Sequence, residues 1–245
     1  MMKVGAIIQA RMGSTRLSGK VMKEIKGKTV LGHVIERVSQ STLIDQIVIA
    51  TTDLTRDNVI EVEAKKYGAN VFRGSEKDVL SRYFYAAKQN NIDVVVRITS
   101  DCPLIDPFVV DDVVSKFLEH RYNLVTNAGS DHCQRTYPRG LDTEVLSFAA
   151  LEDAYHHAKE EYQREHVTPY IYEHSNNIHY VMNETDYSKY RWTLDTEEDF
   201  ELINEVYKRL YNGSHDFYLE DIVQLFVKEP DLFNINAHIE QKKIN

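Results

Sequence analysis

The sequence predicts an α/β protein, built of βαβ units around a parallel sheet. Apolar runs of strand length alternate with stretches of helical apolar spacing over the first half of the chain. The runs are nearly continuous rather than alternating, as in strands covered on both faces. Charged and small residues follow directly on several of these runs, where parallel sheets place their ligands.

The elements follow in order. Val4–Gln9 is a short buried strand. "TVLGHVIERVSQS" sets Val30, Val34 and Val38 on one helical stripe. "QIVIATT" is a second buried strand, "VIEVEAKKYGA" a helix stopped at Gly68, and "NVFRG" a strand. "KDVLSRYFYAAKQNN" reads as a helix, "DVVVRITSD" as a strand, "PFVVDDVVSKFLEH" as a helix and "YNLVTNA" as a strand. The loop after Gln9, the "TTD" of Thr51–Asp53 and the "TSDCP" of Thr99–Pro103 should therefore meet on one rim. Beyond this the pattern loosens. "RTYPRGLDTEVLS" has the look of extended or hairpin chain, and "FAALEDAYHHAKEEYQREHV" of one long helix ending near Pro169. "NIHYVMNET" and "KYRWTLD" read as strands, "TEEDFELINEVYKRLYN" as a helix stopped by Gly213, and "YLEDIVQLFVKEP" as a last helix. No repeat, low-complexity tract or linker interrupts the chain. Residues 1–245 read as one domain with an excursion at about 130–190.

The bulk properties exclude several classes of function. At 42% hydrophobic and 27% charged residues the chain is ordinary for a globular protein. A net charge of -9 argues against a general nucleic-acid binder, which needs a basic footprint. No apolar run is long enough to span a bilayer, so no membrane partner is expected. "MMKVGAIIQAR" runs straight into charge without a small-residue cleavage site, so no leader peptide is expected. Cys102 and Cys133 form no disulfide framework, which points to a reducing cytoplasm. Cys102 reads as a small buried residue. The ten histidines show no H-E-x-x-H spacing and read as packing residues.

"AIIQARMGSTRLSGK", Ala6–Lys20, leaves the first strand and gathers Arg11, Arg16 and Lys20 with Gly13 and Gly19. Five residues separate those glycines and Val21 follows Lys20, so the loop is neither a P-loop nor a dinucleotide fingerprint. Its backbone N–H groups and cations suit an anion nonetheless, with Arg for bidentate phosphate contact and Lys as a point charge. The alternative is a solvated basic surface loop.

Two carboxylates end apolar runs elsewhere, Asp101 in "VVVRITSDCPLIDP" and Asp195 in "RWTLDTEEDF". Two carboxylates from separate strand ends suit Mg²⁺, which takes few protein oxygens and bridges to phosphates. Each also has a structural reading. Asp195 or Thr196 would cap the following helix, and Asp101 would begin a turn with Pro103. Thr196 and Asp199 have capping-box spacing, and Asp106 before Pro107 suits an N-cap.

"IIQARMGSTRLSGK", "SDCPLIDP" and "LDTEEDF", in that order, resemble the cytidylyltransferase family, which makes CMP-activated acidic sugars such as CMP-Kdo and CMP-sialic acid. "DVLSRY", "YPRGLDTEVLSF" and "REHVTPYIY" resemble its spore-coat polysaccharide (SpsF-like) branch, and the likeness covers nearly the whole chain. The resemblance implies the nucleotide-diphospho-sugar transferase type of α/β/α fold, CTP as donor, a sugar acceptor, Mg²⁺ and a homodimer with contacts from the excursion. It places Ala10, Arg11, Ser14, Arg16 and Lys20 around the triphosphate, Arg82 near the base, and Asp101 and Asp195 on the metal, with Arg11, Lys20 and Asp101 as catalytic groups. Where the family commonly has "RLPGK", this chain has Ser18 in place of the proline.

The sugar hydroxyl would attack the α-phosphorus of CTP and release pyrophosphate. Arg139, Asp142 and Glu144 in "PRGLDTE", with Arg164 and His166 in "REHVTP", are candidates for reading the acceptor. A salt-bridged hairpin and helix surface is the alternative for that set. Two other functions compete. A glycosyltransferase using nucleotide sugars would show an Asp-x-Asp motif, which "SDCP" lacks. A non-catalytic nucleotide-binding subunit would have no need of Asp101 and Asp195 beside Lys20.

Overall fold

A computed structural model describes residues 2–128 and 135–240. Strand β1 (Val4–Gln9) leads through the basic loop to a small hairpin, β2 (Glu24–Ile25) and β3 (Lys28–Thr29), and then to helix α1 (Val30–Val38). β4 (Gln46–Thr52), α2 (Asn58–Lys66), β5 (Asn70–Gly74), α3 (Val79–Gln89), β6 (Val94–Thr99), α4 (Pro107–Glu119) and β7 (Leu124–Thr126) complete the alternating half. β8 (Glu144–Ser147), α5 (Phe148–His157), α6 (Glu161–His166), α7 (Pro169–His174), β9 (Ile178–Tyr180), α8 (Glu197–Leu210), α9 (Leu219–Lys228) and α10 (Asp231–Asn234) follow.

Among the described residues one seven-stranded sheet runs in the order β5-β4-β1-β6-β8-β7-β9. β1 pairs in parallel with β4 and β6, and β4 with β5; only β8 is reversed, antiparallel to both β6 and β7. Alternate strand residues feed two cores, which is why the strands are apolar on both faces. Ile8, Ile49 and Val96 pack with α1, α4, α8 and α9. Ile7, Val48 and Val95 pack with α3, α5 and α7. This is the three-layer α/β/α arrangement, with a mostly parallel sheet.

The excursion differs from its sequence reading in three ways; its first residues, 130–134, lie outside the described ones. The expected long helix is broken: α5 ends at His157, and a new start forms where Gln163 Oε1 accepts the Glu160 N–H at 3.2 Å. Pro169 opens α7 instead of ending a helix, because at the first helical position its missing N–H costs nothing. "KYRWTLD" is no sheet strand. Its residues from Tyr190 to Asp195 are all buried, and they belong to extended chain that meets a neighbour at a single bridge, Arg139 with Arg191. Gly140 allows that approach: it has φ +102°, and a Cβ there would stand 2.5 Å from the Trp192 carbonyl carbon. "RTYPRGLDTEVLS", read as extended or hairpin chain, ends in the extended strand β8, which pairs antiparallel with both β6 and β7.

Candidate active site

The loop after β1 is anchored from outside itself. Asp57, fully buried below β4, accepts the Met12 N–H at 2.8 Å, and its other oxygen takes the Thr52 hydroxyl. The Met12 carbonyl accepts the N–H groups of Ser14 (2.9 Å) and Gly19 (3.2 Å), folding the loop back on itself. Gly19 adopts φ +63° and turns the chain into a single 3₁₀ turn, Lys20–Met22. With Ala10 and Leu17 buried on either side, Lys20 is carried under the loop.

The ammonium of Lys20 lies 2.6 Å from Asp101 Oδ2 and 2.8 Å from Asp195 Oδ1. Asp101 follows β6, and its carbonyl accepts the Leu194 N–H at 2.8 Å, so the extended 190–195 segment is drawn alongside and sets the second carboxylate next to the first. Asp195 is then oriented by two arginines, with Oδ2 at 3.0 Å from both Arg16 and Arg191. Arg191 also forks onto Asp199, Nε to Oδ1 at 2.9 Å and a terminal nitrogen to Oδ2 at 3.0 Å. Asn236 donates to Asp199 Oδ1 at 2.8 Å and to the Arg191 carbonyl at 2.9 Å.

Electrostatics follow from this packing. Burial disfavours charge on Lys20, but Asp101 and Asp195 outweigh it and raise its pKa, so the ammonium persists. Burial would also raise Asp101, yet the Lys20 charge and hydrogen bond bring it down to about 2.

Arg82 on α3 is 1% exposed, and its guanidinium donates to the carbonyls of Ser75 (2.7 Å) and Glu76 (3.3 Å). It has no carboxylate partner among the described residues, its Nε has no partner, and burial followed by nearby Arg11 lowers its pKa. Arg11 is half-exposed and 3.9 Å from Glu165 of α6.

The acceptor candidates divide. Arg139 bridges to Arg191, which holds Asp195, and Arg135 pairs with Asp142 close by. Burial, then Arg135, lowers the Arg139 pKa. Glu144 is interior instead: it pairs with Arg97 and accepts from Thr168 (3.0 Å) and Tyr172 (2.8 Å). Arg164 is taken up by Asp78 at the start of α3, at 2.9 and 2.7 Å, and by the carbonyls of Tyr155 and Ala158. Both belong to the frame by this geometry. His166 ends α6, and Val167 after it is buried at φ +74°, a strained position for a β-branched residue.

Several expectations for single residues hold. Asp106 caps α4, accepting from Phe108 N–H at 2.8 Å. Thr196 and Asp199 form the capping box, although Asp199 also holds Arg191. Cys102 is buried, and burial raises its thiol pKa well above the usual value. Asp57, Arg191 and Asn236 were not singled out by sequence reasoning. Asp57 alone left a trace, an acid just before a helix whose side chain turns away from the cap.

A basic, glycine-bearing loop over paired carboxylates at the carboxyl edge of a parallel sheet defines a nucleotidyltransferase type of α/β protein. The cytidylyltransferase family model matches residues 5–243, and the chain belongs to that family. It is 33% identical to the spore coat polysaccharide biosynthesis protein SpsF of Bacillus subtilis, over 92% of this chain and 94% of that one. It is 35% identical to the 3-deoxy-manno-octulosonate cytidylyltransferase of Geotalea daltonii over 48% of this chain and 46% of that one. A solved cytidylyltransferase from Leptospira borgpetersenii superposes with a TM-score of 0.90 at 38% identity, covering 99% of this chain and 100% of that one.

Proposed function

We propose that the protein transfers CMP from CTP to a hydroxyl of an acidic sugar, with Mg²⁺, in the making of a surface polysaccharide. The observation that carries this reading is the convergence of Asp101 and Asp195 on one cation, the Lys20 ammonium, at 2.6 and 2.8 Å. The donor set fits Mg²⁺: hard carboxylate oxygens, few in number, from separate parts of the chain. Asp195 Oδ2 is held by Arg16 and Arg191, so Asp195 offers one oxygen only, as a small octahedral ion prefers. Bound there, Mg²⁺ supplies neutralisation of the triphosphate charge.

In the reaction the sugar oxygen forms a bond to the α-phosphorus, and the bond from that phosphorus to its bridging oxygen breaks. Pyrophosphate keeps the electron pair, and the hydroxyl proton passes to solvent. Lys20 turns from the carboxylates to the phosphoryl oxygens, Arg11 and Arg16 hold the triphosphate with the N–H groups of the loop, and Arg82 closes the nucleotide side. Arg139, whose backbone bridges to Arg191 and whose charge lies near those of Arg135 and Arg191, favours an acceptor that carries a carboxylate. The names of the relatives support a sugar and a polysaccharide. The family resemblance adds a homodimer, which sedimentation velocity checks.

The test is pyrophosphate release with Mg²⁺, each nucleoside triphosphate in turn, and a panel of keto-acid and neutral sugars. Release with CTP and an acidic sugar is expected. Turnover of a nucleotide sugar without pyrophosphate, or binding without turnover, overturns the reading.

A further inference from the structure

His33 on α1 and His215 in the α8–α9 connection are both buried, and their rings point nitrogen to nitrogen, His33 Nδ1 to His215 Nε2 at 2.8 Å. His33 Nε2 lies 2.8 Å from the Ile25 carbonyl, which only accepts, so Nε2 carries the hydrogen and Nδ1 is bare. His215 Nδ1 lies 3.4 Å from Glu36 Oε2, another acceptor.

A neutral His215 has one hydrogen for two acceptors. On Nε2 it serves His33 and leaves Nδ1 bare against the carboxylate. On Nδ1 it serves Glu36 and leaves two bare nitrogens face to face. A second proton would satisfy both contacts, but burial, then Arg37, His33 and Lys28, push His215 down to about 3, and burial pushes His33 to about 4. Both rings are thus neutral near pH 7, the form that binds metals.

We infer that His33 Nδ1 and His215 Nε2 form a binding site for a divalent transition cation of the zinc class, with Glu36 beside it. The cation replaces the missing hydrogen between the rings and lets His215 Nδ1 donate to Glu36. Both rings then have the outer partner that metal-bound imidazoles usually have, a carbonyl for one and a carboxylate for the other. One ligand atom from each of His33, Glu36 and His215 lies within 4.8 Å of the other two. Bonds of about 2.0–2.1 Å in tetrahedral geometry need the nitrogens about 3.3 Å apart. His215 sits in a loop that can give the remaining half ångström or so. Lys28, 2.6 Å from both Glu36 oxygens, opposes the cation. The site fastens α1 and the β2–β3 hairpin, which follows Lys20 directly, to the C-terminal helices. It is independent of the transferase reading.

The test uses full-length, untagged, chelator-treated protein carrying Asp101→Asn, Asp195→Asn and Cys133→Ser, so that neither the paired carboxylates nor that thiol competes. Titration with Zn²⁺ by calorimetry should show one equivalent bound, and Co²⁺ should give the visible absorption of imidazole ligation. His215→Gln should abolish both. Glu36→Gln should weaken binding roughly 10–100-fold, the usual cost of an outer partner, and Lys28→Met should tighten it. Absence of saturable binding overturns the inference, as does unchanged binding in His215→Gln protein with a native circular dichroism spectrum. Equal affinities in the Glu36 and Lys28 variants, both of which alter partly exposed side chains, also overturn it.

Discussion

Lys20 and Asp101 stand 2.6 Å apart across 81 residues of sequence, a lysine from the end of one strand's loop set on the carboxylate that ends another. Both groups are charged, and both are largely withdrawn from solvent. Neutralising either removes a preorganised charge from the point where phosphoryl charge develops, which typically costs about 10²–10³ in kcat. Lys20→Ala and Asp101→Asn should each show that loss in a pyrophosphate assay corrected for the folded fraction, and each should also lower the thermal midpoint, because a largely buried ion pair is broken. Turnover within threefold of the parent in either variant contradicts the assignment.

The same contact predicts competition. The Lys20 ammonium holds one oxygen of Asp101 and one of Asp195, the pair offered to a divalent ion. Without nucleotide, Lys20→Gln should bind Mn²⁺ more tightly than the parent in electron paramagnetic resonance titrations. With CTP present the difference should shrink, because the triphosphate draws Lys20 away. Weaker Mn²⁺ binding in the variant would mean that the ammonium and the metal occupy different places.

Arg191 governs how Asp195 is presented. Its side chain is 7% exposed and that of Asp199 is fully buried. Removing one partner from such a pair costs about 3–5 kcal/mol. Arg191→Met should therefore lower the urea midpoint clearly, and the folded fraction should need more Mg²⁺ for half-maximal rate. A loss of stability with an unaltered Mg²⁺ requirement would confine Arg191 to the frame.

Tyr83 gives a pH signature. It is fully buried on α3, and its hydroxyl donates to the carbonyls of Ile7 (3.2 Å) and Ile98 (3.3 Å), where β1 and β6 approach the site. Burial pushes its pKa from 10 up to about 12. A raised folded pKa means full stability below pH 10, lost as the pH climbs towards 12. The loss amounts to about 3 kcal/mol. Urea midpoints of the parent should fall over that interval more steeply than those of Tyr83→Phe, and parallel curves would refute the account.

β1, β4 and β6 were legible because each is covered on both faces and so announces itself as an apolar run, whereas the β2–β3 hairpin, with Glu24 exposed and Lys28 half-buried, offers no such run. The segment at Trp192 is apolar too, but it is buried against the Arg139–Gly140 turn, the Asp101 turn and Phe226 of α9, and composition does not distinguish a sheet neighbour from a loop neighbour. Lys20, Asp101 and Asp195 were legible because charge at the end of an apolar run is conspicuous. Arg191, between Tyr190 and Trp192, looked like an ordinary strand residue. Glu144 and Arg164 were noticed for their charge, and their partners, Arg97 and Asp78, lie 47 and 86 residues away. His33 and His215, 182 residues apart, shared no spacing that could mark them as a pair.

The carboxylates of Asp101, Asp195 and Asp199 are matched one for one by Lys20, Arg16 and Arg191. Charges balanced at such short range project little field into solvent, while the chain as a whole carries -9. A polyanionic nucleotide approaching this protein is therefore not drawn in from a distance. Its encounter rate should be modest and should rise slightly with added salt as the overall repulsion is screened. Stopped-flow binding at several ionic strengths reads this directly, and a rate that fell steeply with salt would show a long-range attraction that the balanced cluster does not supply.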